Sequence, residues 1–188
     1  MKIAIEKISR DLATIRGELY APDCEPAESP FPGLAQRVRL LVPIILVELI
    51  KAAPWDVLEE VKILESTITA DDSEVAEIKV PDDFLRLVSL QAGDWQKAVT
   101  HITSADDEEG ARQHSIWKGV KGNPAYPVVM MAHNAKGDRV FQLFTTISDK
   151  ARMAYIAKPE ISDDDTIEIP APLYGELINK LENKMKTD

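Results

Sequence analysis

Three histidines, one cysteine and four acidic runs are the parts of this 188-residue chain whose residue types could do chemistry. His101, His114 and His133 could ligate a transition metal if two stood one helical turn apart, or if a cysteine cluster joined them. Neither pattern occurs, and His101 and His133 read as ordinary strand residues. Cys24 is flanked by Asp23 and Glu25, whose charges oppose thiolate formation. The runs Asp71-Asp72, Asp82-Asp83, Asp106-Asp107-Glu108-Glu109 and Asp163-Asp164-Asp165 could hold Ca²⁺ or Mg²⁺. None carries the alternate oxygen ligands, central glycine and distal glutamate of a calcium loop. All fall where turns are expected, and solvated carboxylates are normal there; Asp163 to Asp165 is the best divalent candidate. Lys118-Gly119-Val120-Lys121-Gly122-Asn123-Pro124 lacks the Gly-Lys-Ser/Thr ending of a phosphate loop and lies between β segments. No Gly-x-Ser-x-Gly elbow occurs. The expectation is therefore no catalytic centre, no cofactor and no bound metal.

Composition narrows the field further. Twenty-two basic and 32 acidic residues leave a net charge of −10. That argues against broad nucleic-acid binding, which needs Lys and Arg to neutralise phosphate, and it fits a soluble, self-repelling surface. A single cysteine excludes an internal disulfide. The segment Met1 to Lys7 carries charge where a signal peptide needs its apolar run, so a cytoplasmic location is expected. The longest apolar stretch, Leu40 to Val47, ends at Glu48. It is far short of the roughly 20 residues of a membrane span, so no membrane partner is expected.

The elements that must position these residues follow from periodicity. Ile5, Ile8, Leu12, Ile15 and Leu19 fall on one stripe and predict a first helix over about residues 2 to 19. Four prolines between Pro22 and Pro32 forbid a helix in residues 20–33. A second helix runs from about Leu34 to Ala52, with Leu34, Val38, Leu41, Ile45 and Leu49 on one face. Val42, Leu46 and Ile50 carry the apolar surface further round the axis. Such a helix is buried on more than one side, either as the centre of the fold or against another subunit. Val42, Leu46 and Ile50 are the candidate subunit interface. Pro43 removes one backbone donor and should kink the helix.

From Ile63 the period shortens. Short strands are expected near Ser66–Thr69, Val75–Val80, Phe84–Leu90 and Trp95–Ile102, with a loop or frayed helical turn at 104–113. A hairpin joins Pro127–His133 to Arg139–Thr146 through Gly137. Arg152–Ala157 and Ile167–Ile169 are further strands. Pro170-Ala171-Pro172 then opens a last helix carrying Leu173, Leu177, Leu181 and Met185 at i, i+4, i+8, i+12. The reading is one α+β domain. Residues 1–60 and 171–188 form a helical layer, and 61–170 an inserted antiparallel β segment, a small sheet or sandwich.

The middle of the chain carries a more specific pattern. Val80-Pro81-Asp82-Asp83-Phe84-Leu85-Arg86-Leu87-Val88-Ser89 precedes Trp95 and a polar stretch with Gln113. Lys121-Gly122-Asn123-Pro124, Pro127-Val128-Val129 and the Phe141–Phe144 strand follow, then Tyr155-Ile156-Ala157 and Ile167-Glu168-Ile169-Pro170. Over about residues 34 to 182 this order resembles head-to-tail connector (adaptor) proteins of tailed bacteriophages and prophages. The resemblance implies a non-enzymatic structural protein that forms a ring with its own copies beneath the portal and gives the tail a docking surface. It also implies double-stranded DNA passing through without sequence readout, and residence in the host cytoplasm and then the virion. The acidic composition suits a lumen that does not grip DNA, and the broad apolar surface of residues 38 to 50 suits subunit packing. A competing reading is an interaction module that binds a host protein through the β segment. A further one is an enzyme whose site assembles from scattered residues.

Overall fold

The computed structural model describes residues 1–17, 32–58, 61–70, 75–144 and 146–187. Cys24, Leu19, most of the proline-rich loop and the run Asp71-Asp72 lie outside them. In chain order the elements are β1 (Lys2–Ala4), α1 (Ile5–Ile15), α2 (Pro32–Ala52), β2 (Lys62–Thr67), β3 (Thr69–Ala70), β4 (Val75–Lys79), β5 (Phe84–Ala92), α3 (Glu108–Gln113), β6 (Val128–His133), β7 (Arg139–Phe144), β8 (Lys150–Ala157), β9 (Thr166–Glu168) and α4 (Tyr174–Thr187). The fold is α+β. It divides into two units, Met1–Glu60 with Lys158–Asp188, and Val61–Ala157. No described helix is long and apolar enough to cross a membrane.

In the helical unit, α1, α2 and α4 pack on one another. The stripe read from sequence is the buried one in α1 as far as Leu12, and Leu177, Ile178, Leu181 and Met185 of α4 are buried likewise. Each such side chain stabilises by roughly 1.5–3 kcal/mol when fully buried. The ends of α1 differ from expectation. Residues 2–4 are not helical: they pair antiparallel with β9, Ile3 opposite Ile167, and both isoleucines are buried. The first helical N–H, of Ile5, bonds the Asp165 carbonyl at 3.0 Å. At the far end the Gly17 N–H bonds the Thr14 carbonyl with φ +69°, a left-handed stop that glycine adopts without a Cβ clash. Ile15, on the last turn, is exposed. The boundary expected after residue 170 also moves. Lys158–Pro170 belongs with the helices, because β9 pairs with β1.

The β unit is two antiparallel sheets facing each other over one core, in strand order β2-β8-β5 and β3-β4-β7-β6. Phe84 of the first sheet meets Phe141 of the second edge to face, ring centroids 5.1 Å apart. Around them lie Ile78, Leu87, Leu90, Leu143 and Met153. The strand β5 does not alternate as its sequence suggests. Phe84, Leu87 and Leu90 face inward at every third position, before Ala92 restores alternation, because register shifts between Phe84 and Arg86 and between Leu87 and Ser89 each insert an extra residue. The β6–β7 hairpin turns at Asn134, whose side-chain oxygen accepts the N–H groups of Lys136 and Asp138, with Gly137 at φ +85°. Trp95–Ile102, expected as a strand, is irregular and pairs with β5 at the isolated bridge Leu90–Val99, while Gln91 of β5 donates its side-chain amide to the Trp95 carbonyl at 3.0 Å.

Candidate functional site

The acidic runs are structural where they are described. Asp164 accepts hydrogen bonds from the Lys2 ammonium and the Thr166 hydroxyl, both at 2.7 Å. Its carboxyl is held below its ordinary value first by Lys2. Asp165 sits in the left-handed region at φ 56°, a position an Asp tolerates better than most residues, and pairs with Arg39 at 3.0 Å. The run thus forms the turn into β9, and two of its three carboxylates, Asp164 and Asp165, pair with cations from β1 and α2. Asp106 and Asp107 turn the chain into α3, and Glu109 accepts a hydrogen bond from Thr103 at 3.2 Å.

Two tyrosine clamps fasten the units internally. In the β unit Asp83 takes the Tyr155 hydroxyl at 2.9 Å and the Lys62 ammonium at 2.6 Å. In the helical unit Asp11 takes the Tyr174 hydroxyl at 2.6 Å and the Lys7 ammonium at 2.7 Å. Burial is the main cause that raises both tyrosines, and the neighbouring carboxylates add to it. Burial pushes the Asp11 carboxyl up, but the hydrogen bonds from Lys7 and Tyr174 together outweigh it and leave the group low.

The histidines stand apart from any ligand set. His101 lies in an irregular segment rather than a strand, 3.8 Å from Glu109. His114 caps the end of α3, and His133 closes β6 opposite Arg139. Among the described residues no group of three or more His, Cys, Asp or Glu could hold a metal ion.

The proposed interface on α2 is not a surface. Val42 and Leu46 are 0% exposed and Ile50 is buried within the same protomer. The residues that widen the apolar face round the axis therefore complete the protein's own core. The helix runs continuously through Pro43, and what it leaves outside is the other side, Leu40 and Ile44.

Exposed apolar residues concentrate instead in the β unit. Between α3 and β6, Ile116 is 89% exposed and Trp117 is 72% exposed, with Val120 following in a 3-10 turn. This projection is anchored from below. The buried Gln113 accepts the Gly122 N–H at 2.7 Å and donates to the Glu109 carbonyl at 2.8 Å. Tyr126 is exposed too, with the Lys97 ammonium 4.5 Å from its ring centroid. Ile147, 95% exposed, crowns the β7–β8 connection, where Asp94 accepts its N–H at 3.1 Å. The other concentration is β2, where Ile63 is 61% exposed and Val61 and Leu64 are exposed as well. Beside β2 a cleft of about 400 Å³ is lined by Leu64, Ser66, Thr67, Ile78, Val80 and Pro81 among others. Sequence reasoning missed these surfaces. Neither Ile63 nor Trp117 is marked by the sequence, since an apolar side chain carries no sign of which way it faces. No protein-family model matches the chain, and no curated protein matches it by sequence.

Proposed function

We propose that this chain is a non-enzymatic structural protein of a tailed bacteriophage or prophage, a head-to-tail connector (adaptor) that joins portal to tail. The observation that supports the reading is the adjacent pair Ile116 and Trp117, both largely exposed on a turn tied to the fold through the Gln113 side chain. Large apolar residues held out in water in this way are the mark of a surface completed by another protein. The mid-chain pattern from Val80 to Pro170 supports the phage assignment by resemblance. In that role the chain assembles with its own copies and with portal or tail proteins, in the host cytoplasm and then in the virion. Its net charge of −10 suits a passage that lets double-stranded DNA slide by.

The test is the composition and integrity of particles induced from the host strain. Mass spectrometry should find the chain in purified tailed particles, and deleting its gene should yield heads without tails. Complete infectious particles that lack the chain would reject the assignment. A second reading, a module that binds a host protein through the β segment, is favoured by the position of β2, which has no strand beyond it among the described residues. Affinity capture of a host protein that is lost on Trp117→Ala or Ile63→Lys, with phage assembly unaffected, would favour it.

A further inference from the structure

No further inference is drawn: the strongest candidate, the exposed apolar projection of Ile116, Trp117 and Val120 between α3 and β6, belongs to the surface already described, and nothing in the structure shows what covers it.

Discussion

At Asp83 one carboxylate receives the Lys62 ammonium and the Tyr155 hydroxyl, so three parts of the β unit (β2, the turn before β5, and β8) meet at two oxygens. Tyr155 is buried and donates its hydroxyl to Asp83, so removing that hydroxyl tests the contact directly. Tyr155→Phe should cost about 1–2 kcal/mol at neutral pH, the range for a hydrogen bond to a charged group discounted for the partial exposure of Asp83. The Lys62 hydrogen bond, aided by Tyr155 against the cost of burial, holds the Asp83 carboxyl below its ordinary value. A group lowered in this way stabilises the fold above its unfolded pKa, near ~3.9, and loses that contribution as pH falls through the lower folded value. The melting-temperature gap between wild type and Tyr155→Phe should therefore be full at pH 7 and shrink steadily below about pH 4. A gap that stays constant to low pH would show that the phenol acts by packing alone.

Among the elements, the sequence was most readable where one face of a helix or strand is buried and its ends are marked. The α4 stripe from Leu173 to Met185 is buried, and the β6–β7 hairpin turns at Gly137 as its sequence implies. It was least readable where a partner far along the chain decides the outcome. Lys2–Ala4 continues a helical pattern but is drawn into a ribbon by Thr166–Glu168. The inward spacing in β5 comes from two register shifts, which no local alternation reveals. The candidate interface failed for a related reason. Periodicity shows that Val42, Leu46 and Ile50 are buried, but not whether the cover comes from the same protomer. The contrast is measurable. Leu46→Arg puts an unpaired charge into the core and should abolish the cooperative melt of the helical unit. Ile44→Arg, on the exposed side of the same helix, should leave far-ultraviolet circular dichroism intact and shift stability by no more than about 0.5 kcal/mol. A folded Leu46→Arg variant would restore that face as a surface.

On the scale of the whole molecule, the β unit is an insertion between α2 and β9. Its first and last strands are neighbours, Lys62 lying opposite Tyr155. Its entry and exit are thus side by side, the geometry that lets an inserted unit stand alone. Residues 61–157 expressed by themselves should give a β-type circular dichroism spectrum and one cooperative thermal transition. A chain that melts without cooperativity would mean that the insertion depends on the helices.

The ribbon of β1 and β9 has a consequence for biosynthesis. The Met1 nitrogen donates to the Ile169 carbonyl at 2.7 Å, so the start of the described chain finds its partner only near the end. On the ribosome α1 and α2 emerge early yet cannot complete their bundle until α4 has been made. The β unit meets no such delay and can close once Ala157 is clear. Closing it brings its two ends together and turns a gap of roughly 100 residues into a short clip, which lowers the entropic cost of bringing β9 to β1 by about 1.5–2 kcal/mol. If residues 61–157 fold alone, the middle of the chain should fold before its ends and hasten their meeting.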